Sequence, residues 1–275
     1  MADELREDYI VANGIKTHVW ETGSGETVLF VHGGGAGADA WGNWKDTLPR
    51  FAAAGFRAVA IDMVGFGKTD KPDPATFEYS NQARIDHLIG VIQSMNVSKL
   101  NLVGNSMGGA ASLGVCIQRP ELVNKLVLLG SAGRHRPVQR SEELNAVLKY
   151  TPGREQMYKI VRGLTNPKFE VDEAMVDYRL ALSQSPGTME AYIGTMKWVE
   201  KNGMFYEDEE LQSIPHKTLV IHGKNDRMVP IDESWEICRL IENAWMHIIP
   251  NCGHWAMIEH PDEFCAVTLY FLKNA

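Results

Sequence analysis

Short apolar runs recur along the chain, and most of the gaps between them are long enough for a helix. Thr27 to Val31, Arg57 to Ile61, Leu100 to Val103, Leu122 to Leu129, Thr218 to Ile221 and Trp245 to Ile249 each read as a strand buried in a sheet. Upstream, Tyr9 to Ala12 and Lys16 to Glu21 flank Asn13-Gly14, a pair that tolerates the positive φ angles of a tight hairpin turn. The pattern predicts an α/β fold with eight strands, the first two antiparallel and the others mainly parallel, and with helices on both faces of the sheet. The alternation stops between about Gly133 and Ser213. There, Met175, Val176, Tyr178, Arg179 and Leu180, and then Ala191, Tyr192, Thr195, Met196, Trp198 and Val199, follow helical spacing, and no strand is evident. The expected organisation is a core of residues 1–132 and 213–275, with residues 133–212 inserted as a helical cap.

A length of 275 residues suits one such core with an insertion. No stretch reaches the roughly eighteen unbroken apolar residues of a membrane span. The acidic start, Met1 to Asp8, lacks the basic and apolar segments of a secretory signal, so a cytoplasmic location is expected. Cys116, Cys238, Cys252 and Cys265 are scattered without metal-ligand spacing and read as reduced thiols, with no metal site. A net charge of −8 argues against a nucleic-acid partner, because phosphate binding draws on clustered Lys and Arg. The basic run from Arg134 to Arg140 reads as a solvated linker, and Glu207 to Glu210 as a solvated edge of the cap.

Candidate chemistry sits where strands end. Gly104-Asn105-Ser106-Met107-Gly108 follows an apolar strand and precedes a helix-forming stretch, the setting in which a sharp turn lifts a serine hydroxyl clear of the sheet. A serine is a weak nucleophile until a base takes its proton, and that base needs an acidic partner. Asp226, just past the strand ending at Ile221, and His254, just past the strand ending at Ile249, supply both, because loops at the carboxyl ends of parallel strands converge on one crevice. His32, His216, His222 and His260 are less well placed. After the strand ending at Val31, His32-Gly33-Gly34-Gly35-Ala36-Gly37 offers bare backbone, so the amides of Gly34 and Met107 are expected to form an oxyanion hole. Gly65-Phe66-Gly67-Lys68-Thr69 is not a nucleotide-binding loop, because Asp62 stands where the leading glycine belongs. The run after His32 also misses the dinucleotide fingerprint, with Ala38 at the last glycine position. Neither ATP nor NAD is implied, and no cofactor is expected.

With these residues in place, the sequence resembles the meta-cleavage product hydrolases, α/β-hydrolases that cleave a carbon–carbon bond in ring-opened aromatic compounds. The resemblance is carried by His32 to Gly37 with Trp41 and Asn43, by Gly104 to Gly109, by Arg179, and by Cys252-Gly253-His254-Trp255 followed by Glu259-His260. It implies a 2-hydroxy-6-oxohexa-2,4-dienoate substrate. Arg179 would take its carboxylate, with Asn43, Asn105, Gly33 and Trp255 also in the binding site. It further implies an aryl group at C6, in the manner of a 2-hydroxy-6-oxo-6-phenylhexa-2,4-dienoate hydrolase, and a homo-oligomer. A carboxylesterase with the same triad is the nearest alternative reading, and a ligand receptor built on a hydrolase fold is a more distant one.

Overall fold

The computed structural model describes residues 4–135 and 141–275. The first three residues of the acidic start, and Arg136 to Arg140 of the basic run, lie outside the described residues.

The chain opens with a hairpin of β1 (Arg6–Ala12) and β2 (Ile15–Thr22). Asn13 (φ 50°) and Gly14 (φ 79°) turn it with left-handed angles, which asparagine tolerates and glycine adopts freely for want of a Cβ. There follow β3 (Glu26–Val31), α1 (Ala40–Trp44), α2 (Leu48–Ala53), β4 (Phe56–Ile61), α3 (Asn81–Ser94), β5 (Leu100–Asn105), α4 (Met107–Gln118) and β6 (Val123–Leu129). Then come β7 (Arg134–His135), α5 (Glu142–Leu148), α6 (Arg154–Leu164), α7 (Glu173–Ser183), α8 (Thr188–Asn202), β8 (Met204–Phe205) and α9 (Asp208–Gln212). The chain closes with β9 (Lys217–Gly223), α10 (Ile231–Leu240), β10 (Ala244–Ile249), α11 (Ala256–Glu259) and α12 (Pro261–Asn274).

Eight strands form one sheet in the order β1-β2-β4-β3-β5-β6-β9-β10. Only the pairings β1–β2 and β2–β4 are antiparallel. The anticipated strands are all present, most of them longer by a residue or two at one or both ends. β4 lies on one side of β3 and β5 on the other, so the chain order reverses at β3, and a crevice opens outside the carboxyl ends of β3 and β5. Phe30 of β3 packs on Trp44 and Phe51, and Trp44 on Phe264, so an aromatic cluster ties α1, α2 and α12 to the sheet beneath that crevice.

The segment between β6 and β9 is mainly helical, but it is not free of strands. β7 and β8 pair antiparallel, with Arg134 opposite Phe205 and His135 opposite Met204, where the chain leaves and re-enters the core. Two-residue strands carry no hydrophobic period, so their pattern is invisible in sequence. Arg134 is also no solvated residue: it pairs with Glu236 at 2.7 Å and Asp208 at 2.8 Å, and its guanidinium lies 4.5 Å from the Phe205 ring. Glu207 to Glu210 open α9, where Glu207 and Glu210 form a reciprocal capping box. Among the described residues, no helix is long and apolar enough to cross a membrane.

Candidate active site

Ser106 sits between β5 and α4 at φ 55° and ψ −117°, a strained conformation for a residue with a side chain. Its neighbours explain how the turn is tolerated. A Cβ on Gly104 would fall 2.6 Å from the Gly108 carbonyl oxygen, and one on Gly108 would fall 2.4 Å from that of His32. The turn closes only because both positions are bare. Ser106 N–H donates to the Leu129 carbonyl of β6 at 3.0 Å, which anchors the turn to the sheet.

The loop after β3 approaches the same point. A Cβ on Gly33 would meet Asn105 Oδ1 at 3.0 Å and Ser106 Cβ at 3.2 Å, and one on Gly34 would collide with the Met107 side chain. His32 is buried and sets the loop's orientation. Its Nε2 accepts from Met63 N–H at 3.0 Å, so its Nδ1 carries the proton and donates to the Gly33 carbonyl at 2.6 Å. Burial lowers its pKa and keeps it neutral. In a trans peptide the carbonyl and the following N–H point in opposite directions, so this bond aims the Gly34 N–H away from His32. Met107 opens α4, and its N–H has no acceptor within the helix.

Asp226 and His254 meet at the other side. His254 Nδ1 donates to Asp226 Oδ2 at 2.7 Å, and Asp226 Oδ1 accepts from the N–H groups of Met228 (2.7 Å) and Val229 (3.1 Å). Burial on its own would raise the Asp226 pKa. The facing His254, then His222, and the Val229 N–H outweigh it and hold the carboxyl below its ordinary value. Gly130 backs onto the pair, since a Cβ there would lie 3.0 Å from His254 Nδ1.

One cavity, with about 730 Å³ of empty space including its mouth, is bordered by Ser106, Met107 and His254 together with Gly33, Gly34, Asn43, Asn105, Arg179 and Trp255. Asp226 stands behind His254. All ten residues expected from the sequence therefore gather in one place. Part of the lining is polar and cationic. Arg179 is 3% exposed, donates from Nη2 to the Ala36 carbonyl at 2.8 Å, and lies 4.8 Å from the Trp255 ring centre. Burial lowers its pKa to about 10, with Asp39 opposing, so it remains a cation at neutral pH. Arg179 Nε, Asn43 Oδ1 and Asn105 Oδ1 have no hydrogen-bond partner, a costly state for buried polar atoms and one that a polar ligand would relieve. Much of the rest of the lining is apolar and includes Leu144, Val147 and Leu148 from α5, Leu164 at the end of α6, and Met196 and Val199 from α8. Sequence reasoning placed Met196 and Val199 on a helix of the cap, but it did not show that they or the other four line this cavity, because helical periodicity shows a buried face without showing what it is buried against. It also set aside His222, which lies 3.6 Å from Asp226. Nothing in the sequence marks that approach.

Residues 26–261 match the model of the alpha/beta hydrolase fold family. A 2-hydroxy-6-oxo-6-(2'-aminophenyl)hexa-2,4-dienoic acid hydrolase of Metapseudomonas resinovorans is 46% identical over 98% of this chain and 91% of its own. A 2-hydroxymuconate semialdehyde hydrolase of Pseudomonas sp. (strain CF600) is 34% identical over 97% and 93%. Among solved structures, a serine hydrolase involved in carbazole degradation superposes with a TM-score of 0.89 at 43% identity, covering 99% of this chain and 100% of that one. The chain is thus an alpha/beta hydrolase. Within that fold family it belongs to the meta-cleavage product hydrolases, serine-type enzymes that hydrolyse a carbon–carbon bond.

Proposed function

We propose that the chain hydrolyses a 2-hydroxy-6-oxo-6-aryl-hexa-2,4-dienoate to 2-hydroxypenta-2,4-dienoate and an aromatic acid such as benzoate, with Ser106, His254 and Asp226 as its catalytic triad. The observation that carries this reading is the cavity bordered by Ser106 and His254, whose lining combines a cation and unpartnered polar atoms with apolar side chains. Arg179 takes the substrate carboxylate, with Asn43 and Asn105 hydrogen-bonding the carboxylate and the 2-oxo or hydroxyl group, and with the Gly33 backbone and Trp255 completing the polar wall. The residues from 133 to 212 act as a cap, and their apolar face receives the C6 aryl group. The relative at 46% identity, whose name carries an aminophenyl group at that carbon, supports the aryl preference.

The substrate supplies its own electron sink. Once the 2-enol becomes a ketone, His254 removes the Ser106 proton and the oxygen attacks C6, while the N–H groups of Gly34 and Met107 hold the developing oxyanion. The bond between C5 and C6 breaks, and its electron pair passes into a dienolate conjugated with the C2 oxygen; C5 gained its proton when the enol became the ketone, so the C2 oxygen takes up the proton that His254 removed from Ser106. Water activated by His254 then hydrolyses the acyl-serine. No step calls for a metal or organic cofactor.

The four free thiols fit a reducing, cytoplasmic setting. The edge strand β10 exposes Trp245 and Ile248, which fits a homo-oligomer. The test is to mix the purified protein with the yellow ring-opened product of 2,3-dihydroxybiphenyl. Wild type bleaches it and releases benzoate, and Ser106→Ala is slower by at least about a thousandfold while still binding. Persistent colour with turnover of alkyl dienoates would overturn the aryl preference. Turnover of simple esters alone would overturn carbon–carbon hydrolysis.

A further inference from the structure

Asp226 has a second histidine at its side. His254 Nδ1 holds Oδ2 at 2.7 Å, and His222 Nε2 faces the same oxygen at 3.6 Å. His222 and Asp226 are completely buried as side chains, and His254 is 2% exposed. His222 lies in β9, where its backbone pairs in register with Ile248 of β10. Its Nδ1 is 2.7 Å from Ser234 Oγ of α10.

Electrostatics settles the tautomer. A bare nitrogen lone pair facing a buried carboxylate would be repelled, whereas an N–H is attracted. The favoured arrangement therefore has the Ser234 hydroxyl donating to Nδ1 and the His222 proton on Nε2, directed at Asp226. At 3.6 Å this is a charge–dipole contact and not a full hydrogen bond, in keeping with Nε2 having no hydrogen-bond partner. In a dry interior such a contact is strong. It also draws on the oxygen from a second side without displacing His254.

We propose that His222, with its proton held on Nε2 by Ser234, is a positioning residue that keeps the Asp226 carboxylate ionised and turned toward His254. This rests on the reading of Ser106, His254 and Asp226 as the triad. Its consequence falls on the step at which His254 carries the serine proton, because that imidazolium depends on a fixed anion beside it. The ionisable groups facing Asp226 and His222 from neighbouring elements are His254 and Cys252 of the loop after β10. Burial pushes the Cys252 thiol well up, so it stays neutral, and α10 contributes the neutral Ser234.

The test compares His222→Leu, His222→Gln and Ser234→Ala in the full chain, with Ser106→Ala alongside and folding checked by circular dichroism and thermal melting. His222→Leu should lose about tenfold to a hundredfold in kcat with KM little changed. The acid limb of its kcat/KM profile should move to higher pH, because Asp226 has lost one of the groups that keep it ionised. His222→Gln places an amide N–H near the site of Nε2–H and should restore most of the loss and the original limb. Ser234→Ala, the milder change if His222→Leu fails to fold, should show the same kcat loss and limb movement at smaller size. A folded His222→Leu or Ser234→Ala with the wild-type profile would overturn the inference and leave the triad standing. So would equal losses in the Leu and Gln variants with no movement of the limb. Retained activity in Ser106→Ala would overturn the triad itself.

Discussion

Asp39 joins two parts of the cavity wall through one carboxylate. Its Oδ1 accepts from Gly42 N–H at 2.7 Å and so caps α1, which bears Asn43; its Oδ2 accepts from Tyr178 Oη at 2.5 Å on α7, next to Arg179. Burial, then the nearby Asp62 charge, raise its pKa from 3.8 to about 6, against the two donors. The sign follows directly. An acid whose folded pKa lies above its unfolded one contributes stability below about pH 4, and that contribution is lost as pH rises through about 6. Asp39→Asn cannot ionise, so thermal melts should show it gaining on wild type as pH rises from 4 to 8, and parallel curves would refute the assignment. At this scale, what the sequence could disclose depended on backbone context. Ser106, Asp226 and His254 were legible because a motif or a strand end pointed to each. Asp39 and His222 were not, because their roles arise from Tyr178, Ser234 and Asp226 approaching across the fold.

The turn between β5 and α4 sets the tolerance of the site to small changes. A methyl group on Gly108 would press on the backbone oxygens of His32 (2.4 Å) and Val31 (2.6 Å), neither of which can rotate away. Gly108→Ala should therefore cost about 1–3 kcal/mol in denaturant unfolding, and activity should fall further than stability because the loop bearing Gly34 is pushed aside. The same substitution at Gly14, where a Cβ would meet nothing within 4 Å, carries only the strain of its positive φ and should leave activity intact in the dienoate assay. Elements of this kind were largely legible. Long strands announced themselves by apolar runs, and the opening hairpin by Asn13-Gly14. The pairing of β7 with β8 was not, because it is imposed by where the chain leaves the core and comes back.

For the molecule as a whole, the sheet ends at β10, whose Trp245 and Ile248 are each 44% exposed. An open edge with large apolar side chains invites a second copy. Light scattering should give a mass above the 30.7 kDa of one chain, and Ile248→Lys should lower it, whereas a monomeric wild type would remove this reading of the edge. A mainly parallel sheet whose loops converge at the carboxyl ends of its strands could be anticipated from the alternation of elements, but the strand order that opens the crevice at β3 and β5 could not. The juxtaposition of α5, α6 and α8 over that crevice could not, because it depends on helix packing between segments far apart in sequence. The β7–β8 pair has one more consequence. Because the segment from α5 to α8 departs and returns through two adjoining strands, its ends are already held together, and little chain entropy is at stake in changing what lies between them. That stretch is a natural cassette. Grafting its counterpart from a relative with a different preference at C6 should carry the preference across, while the scaffold that holds Ser106, Asp226 and His254 is inherited unchanged.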